Sequence, residues 1–206
     1  MQSAVEKKRL DMSRSTDAQK KSKLGQFLTS ERVAGFMAGM FHDIVGSCCL
    51  LDAGAGIGSL SAAFLNRCFS GELRFGRIEL DAFEIDEALH PHLEHTLDKY
   101  RNQGVYVNII GEDFIHASVE SLSRDLFARE ARQYTHAILN PPYKKLNSDS
   151  GHRLALRRVG IETVNLYSAF VALAVAQAAS GGQIVAIIPR SFCNGPYYRP
   201  FRAFIL

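Results

Sequence analysis

The sequence has few cysteines and no long apolar run, and both absences exclude classes of protein. Its four cysteines include no C-x-x-C pair, and Cys48 and Cys49 are adjacent. This spacing fits neither a disulfide framework nor a zinc site, so we expect reduced thiols and no metal. No apolar run reaches the roughly 18 residues that a transmembrane helix needs, and the N-terminus lacks an apolar signal core. We therefore expect a soluble, cytoplasmic protein without membrane contact.

A strong net charge is also missing. The 206 residues are 47% hydrophobic and 22% charged, with a formal net charge of +3, which suits one globular domain with a sizeable core. Positive charge is nevertheless uneven: residues 1–24 contain seven lysines or arginines against three acids, and residues 144–158 contain five against one. Because such runs are usually solvated, we interpret residues 1–22 as a basic N-terminal extension.

Strand-like and helix-like apolar patterns alternate along the chain. The predicted strands cover residues 48–53, 78–85, 105–110, 135–139 and 183–188, and the predicted helices cover 59–69, 87–103, 117–132 and 167–179. A first helix within residues 15–41 carries Val33, Phe36, Met37 and Met40 at helical spacing. This alternation predicts an α/β fold with a doubly wound, mostly parallel sheet, in which ligands bind outside the carboxyl ends of the strands.

Glycine-rich and acidic segments follow the first two predicted strands. DAGAGIG, residues 52–58, has glycines where the backbone would approach a ligand closely before a helix begins. A tight strand-to-helix connection would explain the same glycines, and Ser59 and Ser61 break both possible G-x-G-x-x-G frames, so a nicotinamide enzyme fits less well. FEID, residues 83–86, offers carboxylates for a ribose diol, although Glu84 alone is also compatible with a solvated acid.

Polar residues also follow the third and fourth predicted strands. Asp113 in GEDF offers an acceptor beside the ring of Phe114, and it is equally an ordinary helix cap. The segment NPPY, residues 140–143, can continue neither a sheet nor a helix, because its prolines lack an N–H and fix φ. Such a rigid corner would hold the Asn140 side chain and nearby carbonyls in one geometry. The basic run 144–158 follows directly, where a phosphate backbone would lie.

These motifs resemble those of the Rossmann-like, class I S-adenosylmethionine-dependent methyltransferases. More narrowly, they resemble the gamma-class DNA adenine-N6 methyltransferases of restriction-modification systems. The resemblance extends from about residue 23 to residue 206 and includes LGQFLTS at 24–30, NLYSAF at 165–170 and GGQIVAIIPRSF at 181–192. NPPY is typical of methylation of a planar nitrogen in DNA, RNA or protein glutamine, and LGQF and NLYSAF favour DNA. Ser30 departs from the family, which often has proline there.

The resemblance implies a role for each site residue. It assigns S-adenosylmethionine to Thr29, Asp52, Gly54, Gly56, Gly58, Glu84, Asp113 and Phe114. It assigns catalysis to Asn140, Pro141, Pro142 and Tyr143, with the Asn140 oxygen and the Pro141 carbonyl accepting from the adenine amine and Tyr143 stacking on the base. It assigns the other face of the base to Tyr198, with Tyr197 as the alternative. Our candidates for the DNA backbone are Lys144, Lys145, Arg153, Arg157 and Arg158.

The predicted function is site-specific transfer of a methyl group to N6 of a flipped adenine in double-stranded DNA. Cys193 follows phenylalanine rather than the usual proline, which disfavours cytosine-C5 methylation. The predicted catalytic domain covers residues 23–206, with a helical element at 23–46 and an α/β core at 47–206. It is expected to be truncated at the C-terminus and to lack a target-recognition domain. A cognate restriction endonuclease or specificity partner is expected. The alternatives are an RNA or protein-glutamine methyltransferase and a truncated, non-catalytic module.

Overall fold

The structure is a computed structural model that describes residues 28–43, 46–123 and 132–206. The predicted basic extension at 1–22 and the first part of the LGQFLTS segment lie outside the described residues. The helices are α1 Glu31–Ala38, α2 Ser59–Phe69, α3 His90–Arg101, α4 Phe114–Leu122, α5 Gly151–Arg158, α6 Leu166–Ala176 and α7 Arg199–Ile205. The strands are β1 Ser47–Ala53, β2 Arg77–Phe83, β3 Tyr106–Ile110, β4 Tyr134–Leu139 and β5 Ala178–Ala186. Short 3-10 helices cover Glu87–Leu89, Arg190–Phe192 and Pro196–Tyr198.

The five strands form one sheet in the order β3-β2-β1-β4-β5, and every neighbouring pair is parallel. The chain moves outward from β1 to β3 and then returns to add β4 on the other side of β1. The crossover direction therefore changes between β1 and β4, and a crevice opens at the carboxyl ends of these strands. This architecture confirms the predicted doubly wound α/β fold.

The sheet is covered by apolar side chains on both faces, which explains the nearly continuous apolar sequence of β1. Leu50 belongs to a buried cluster with Phe64 and Leu93 from α2 and α3. Leu51 points to the opposite face and belongs to a cluster with Ile115 and Leu173 from α4 and α6. Because successive side chains of a strand face opposite sides, a strand buried on both faces needs apolar residues at neighbouring positions.

The predicted apolar face of the first helix is wrong in part. Met37 is buried, but Phe36 is 74% exposed, Met40 is 52% exposed and Val33 is 39% exposed. The buried face of α1 instead consists of Met37 with Ala34 and Ala38. Small residues at this spacing let the helix lie close to α2.

The predicted limits of the fifth strand also need correction, since β5 begins before the glycine pair rather than after it. Ala178 pairs with Tyr134 and Gln183 pairs with His136. Between these two pairs β5 therefore has three more residues than β4. Gly181 lies inside this irregularity with φ of 74°. A glycine in a strand commonly marks such a bulge. None of the helices in the described part of the chain is both long and apolar enough to cross a membrane.

Candidate active site

A cavity of about 210 Å³ lies at the carboxyl ends of the strands. Its lining includes eight of the residues predicted for the site. These are Gly54, Gly56, Glu84, Asp113, Phe114, Asn140, Pro142 and Lys144. They come from the ends of β1, β2, β3 and β4, which confirms that the four motifs after these strands meet in one crevice.

The glycine loop contributes backbone rather than side chains to this cavity. Gly54, Gly56 and Gly58 have φ of 80°, 58° and 83°, a region that other residues rarely adopt. A Cβ atom on Gly56 would lie 3.2 Å from Leu28 at the cavity wall. Gly58 is not a lining residue, and a Cβ atom there would lie 2.9 Å from Leu93 of α3. Gly54 and Gly56 therefore bring backbone to the cavity wall, whereas Gly58 allows α2 and α3 to pack closely.

Glu84 is a buried carboxylate fixed by the backbone on both of its oxygens. Oε2 accepts the N–H of Gly56 at 2.8 Å, and Oε1 accepts the N–H of Asp86 at 2.8 Å. The carboxylate also lines the cavity. Asp86 itself accepts the N–H of Ala88 and caps the 3-10 helix that follows. Glu84 thus links the loop after β1 to the end of β2.

Asp52 does not line the cavity. Its Oδ2 accepts hydrogen bonds from the hydroxyl and the N–H of Ser61, at 2.6 Å and 3.2 Å, inside α2. Its Oδ1 is buried and has no hydrogen-bond partner among the described residues. Burial, with a smaller contribution from the charge of Glu84, raises the pKa of Asp52 to about 7 against the opposing effect of the Ser61 hydrogen bonds.

Asp113 is the N-cap of α4, and its carboxylate joins two histidines. Oδ1 accepts the N–H of His116 at 2.9 Å, and Oδ2 lies 3.0 Å from Nε2 of His152. Burial opposes ionisation of Asp113, but the bonds from His152 and His116 outweigh it, so its pKa lies below the ordinary value. The ring of Phe114 packs against Phe170 with ring centres 4.9 Å apart. The cavity therefore has a carboxylate beside an aromatic wall.

Asn140 is held at both ends of its side-chain amide. Its Nδ2 donates to Thr29 Oγ1 at 3.0 Å, and its Oδ1 accepts the Tyr143 hydroxyl at 2.9 Å. The same hydroxyl lies 3.3 Å from the carbonyl oxygen of Ile187. Pro141 is buried, and Pro142 lines the cavity. Thr29, which the resemblance assigns to the cofactor, contacts Asn140 and is not a lining residue.

The segment after NPPY is tied to NLYSAF by antiparallel backbone bonds. The Leu166 N–H donates to the Lys144 carbonyl, and the Leu146 N–H donates to the Val164 carbonyl, each at 2.8 Å. Asn165 Nδ2 donates to the Tyr198 hydroxyl at 2.8 Å, which brings the loop before α7 to the same side.

The tyrosines assigned to the target base pack against a third tyrosine. The ring centre of Tyr167 lies 6.2 Å from that of Tyr143 and 5.9 Å from that of Tyr198. Tyr197 is 78% exposed. None of these tyrosines lines the cavity.

The basic residues predicted for DNA divide into two groups. Both oxygens of Glu162 accept bonds from arginines: Oε2 from Arg157 at 2.8 Å and Oε1 from Arg153 at 2.9 Å. Arg153 and Arg157 are therefore both paired with the carboxylate of Glu162. Lys144 is exposed at the cavity rim, and Lys145 and Arg158 are exposed on the segments beyond it.

Eight further lining residues were not predicted individually. They are Leu28, Phe83, Ile85, Leu89, Glu112, His152, Leu166 and Phe170. Six of them belong to the motifs LGQFLTS, FEID, GEDF and NLYSAF, so the motifs themselves were the available signal: Leu28, Phe83, Ile85, Glu112, Leu166 and Phe170. His152 belongs to none of them and reaches the cavity because α5 packs beside α4.

No protein-family model matches the sequence. The chain is 52% identical to Type II methyltransferase M.BsuBI of Bacillus subtilis over 191 residues, which are 90% of this chain and 38% of that protein. It is 49% identical to Type II methyltransferase M.PstI of Providencia stuartii over 189 residues, which are 88% of this chain and 36% of that protein. The chain therefore spans little more than a third of the length of these curated relatives.

Among solved structures, one described as a class I S-adenosylmethionine-dependent methyltransferase from Listeria monocytogenes matches with a TM-score of 0.64. The match covers 95% of this chain and 55% of that one, at 12% sequence identity. Because the sequence identity is so low, the structural similarity shows only that the two chains have the same fold. The fold of the chain is the class I methyltransferase fold.

Proposed function

We propose that the chain is the cofactor-binding and methyl-transfer part of a site-specific DNA methyltransferase of a restriction-modification system. The proposed acceptor is the exocyclic N6 of an adenine that has left the duplex stack. The observation that carries this proposal is the position of Asn140, whose amide is fixed by Thr29 and Tyr143 at one side of a cavity that also contains Glu84 and Asp113. The two Type II methyltransferases that share about half of its residues over nearly the whole chain support the same conclusion.

The lining residues fit S-adenosylmethionine as the methyl donor. Bound there, it would supply a methyl group on a positively charged sulfur. Glu84 and Asp113 both line the cavity, where the carboxylate of Glu84 would accept the ribose hydroxyls and that of Asp113 the adenine amino group. Phe114 and Phe170 offer aromatic surface to the adenine ring. Gly54 and Gly56 present bare backbone to the remaining part of the molecule.

The NPPY segment is suited to activate an amine. The lone pair of an adenine amino group is delocalised into the ring, so a catalyst must favour the tetrahedral form of the nitrogen. The Asn140 oxygen and the Pro141 carbonyl are uncharged acceptors on a rigid segment, and such preorganised acceptors stabilise positive charge that develops on nitrogen. The new N–C bond forms as the S–C bond breaks, and the amine then loses one proton. No covalent bond to the protein is needed.

The base-binding part of the proposal rests on the tyrosines. Extruding a base from a duplex costs a few kcal/mol, and stacking on aromatic side chains offsets part of that cost. Tyr143 and Tyr198 are our candidates, and both contact Tyr167, which we add as their support. For the displaced backbone we favour Lys144, Lys145 and Arg158, because they are exposed at the cavity rim or on the segments beyond it. Arg153 and Arg157 donate to Glu162.

The cofactor site is tested by calorimetric titration of the chain with S-adenosylhomocysteine, the stable product. We expect binding that is lost or strongly weakened in Glu84→Gln. Glu87→Gln is the matched control, because Glu87 lies on the next 3-10 helix and does not line the cavity. A folded chain that shows no binding, or equal binding by both variants, would refute the cofactor assignment.

The acceptor is tested with the longest gene product that contains this sequence. Labelled S-adenosylmethionine is supplied with DNA, RNA or protein in separate reactions, and the methylated nucleosides are identified by mass spectrometry. N6-methyladenine in DNA is the expected product. Methylated cytosine, or transfer only to RNA or protein glutamine, would replace the adenine assignment with the corresponding alternative.

A further inference from the structure

Three metal-ligating side chains meet where the first turn of α4 lies beside α5. Asp113 caps α4, His116 lies in its first turn, and His152 is the second residue of α5. One possible ligand atom from each of the three lies within 4.8 Å of the other two. The imidazole rings of the histidines have centres 5.0 Å apart. The sequence gives no sign of this cluster, because His152 is distant from His116 in the chain.

The donor types and their spacing suit a zinc-like ion. Zinc binds histidine nitrogen and carboxylate oxygen at 2.0–2.2 Å, so the ligand atoms of a tetrahedral site lie about 3.4 Å apart. Oδ2 of Asp113 is already 3.0 Å from Nε2 of His152. His116 is exposed, so rotation of its side chain can close the remaining gap. Imidazole ligands favour zinc, copper and nickel over magnesium and calcium.

The surrounding charges are nearly balanced. The N-terminal end of α4 carries a positive partial charge that opposes a cation, and Lys144 on the cavity rim adds to this effect. The carboxylates of Asp113 and the neighbouring Glu112 attract a cation and offset this repulsion.

The cluster is also open to entry of an ion from solvent, because His116 is exposed while His152 and Asp113 are half-buried.

The geometry points to a binding site for one divalent transition-metal ion of the zinc type, formed by Asp113, His116 and His152 at the mouth of the cavity. The ion and the cofactor exclude each other, an inference that rests on the proposed role of Asp113. Oδ1 of Asp113 accepts the backbone N–H of His116, and Oδ2 would be a metal ligand. Because Asp113 and His152 both line the cavity, an ion on Oδ2 would lie beside the position proposed for the adenine amino group, and its positive charge would repel the amino hydrogens.

Metal binding is tested with cobalt(II), whose visible absorption reports a tetrahedral nitrogen and oxygen site. The protein is the tag-free chain carrying Cys193→Ser, because Cys193 is an exposed thiol that could bind cobalt itself. We expect one equivalent of cobalt to bind and to be displaced by zinc. His116→Ala and His152→Gln should each weaken binding roughly ten-fold or more. Glutamine at position 152 can still donate to Asp113, so this variant separates metal binding from folding.

His95→Ala is the matched control, since His95 is an exposed histidine on α3 outside the cluster. It should bind cobalt like the parent. Absence of cobalt binding by the folded parent, or equal binding by His152→Gln, would overturn the site.

Competition is tested separately by titrating S-adenosylhomocysteine with and without zinc. Zinc should raise the apparent Kd in the parent and leave it unchanged in His116→Ala. An unchanged Kd in a parent that does bind zinc would overturn the exclusion. A chain that binds cobalt and zinc but never the cofactor product would refute the proposed function while leaving the metal site in place.

Discussion

The Tyr143 hydroxyl donates to Oδ1 of Asn140 at 2.9 Å, so the oxygen assigned to the target amine already has one partner within its own motif. A carbonyl oxygen has two lone pairs and can accept a second donor. Tyr143 therefore orients the acceptor through its hydroxyl, besides any stacking by its ring. Thr29 fixes the other end of the amide.

We expect Asn140→Ala to lower methyl transfer by about a hundred-fold or more, the usual effect of losing a preorganised polar group. Tyr143→Phe should lower it about ten-fold, the worth of one neutral hydrogen bond, because the ring stays and the orienting bond is lost. Both should bind S-adenosylhomocysteine like the parent. Single-turnover rates and calorimetry measure the two quantities. Tyr106→Phe, at an exposed tyrosine on β3 outside the site, is the control, and full activity of Asn140→Ala would disprove the role of Asn140.

Gly58→Ala should destabilise the fold more than Gly71→Ala. Both glycines have φ slightly above 80°, so each alanine incurs a similar backbone strain of roughly 1–2 kcal/mol. At Gly58 the new Cβ would also lie 2.9 Å from Leu93, whereas at Gly71 it would meet nothing within 4 Å. Overpacking adds about 1–3 kcal/mol. Urea unfolding of the two variants measures the difference, and equal losses would show that α3 relaxes freely.

His136 should make the fold sensitive to acid. Its ring is buried among Phe41, Phe64 and Phe75, with ring centres 5.1–5.7 Å away, and burial lowers its pKa from 6.5 to about 4. The unfolded chain therefore binds the proton on His136 more tightly than the folded chain does. The contribution of His136 to the free energy of unfolding is complete above pH 6.5 and is lost as the pH falls toward 4.

The measurement compares the parent with His136→Phe, which keeps an aromatic ring but cannot titrate. The melting temperature of the parent relative to this variant should fall between pH 7 and pH 4.5. A constant difference across this range would mean that His136 does not titrate differently on folding.

Asp52 should give stability the opposite dependence on pH, so that the fold loses stability as the pH rises. Burial raises its pKa from 3.8 to about 7, so the folded chain binds the proton more tightly than the unfolded chain does. The stabilisation is complete below the unfolded pKa and is lost as the pH rises toward 7. Asp52→Asn resembles the protonated form at every pH. Its melting temperature relative to the parent should rise between pH 5 and pH 8, and a fall over that range would contradict the assignment.

Much of the fold followed from local pattern. The limits of α2 agree with the predicted helix at 59–69, since its apolar spacing and its preceding glycine are both local signals. Glu84, Asp113 and Asn140 were predicted to meet because the carboxyl ends of parallel strands lie at one edge. This expectation required no knowledge of strand order.

The rest depended on tertiary contacts that no short segment encodes. Phe36 fits a helical apolar stripe but is exposed, because α1 uses small residues to approach α2. The Gly181 bulge inside β5 resembles a turn in sequence, since glycine serves both. His152 reaches the cavity only through the packing of α5 beside α4, and Asp52, although it begins a site motif, turns inward to Ser61.

The strand order also determines when each side of the cavity can form during folding. β1 and β2 pair across one short crossover, whereas pairing of β1 with β4 joins Leu50 to His136 and closes a much longer loop. Loop closure costs more entropy as the loop lengthens, and distant pairings form slowly. In refolding followed by pulsed hydrogen exchange, we expect amides of β2 to gain protection before those of β4. The wall of the cavity around Glu84 would then exist before Asn140 arrives to complete it.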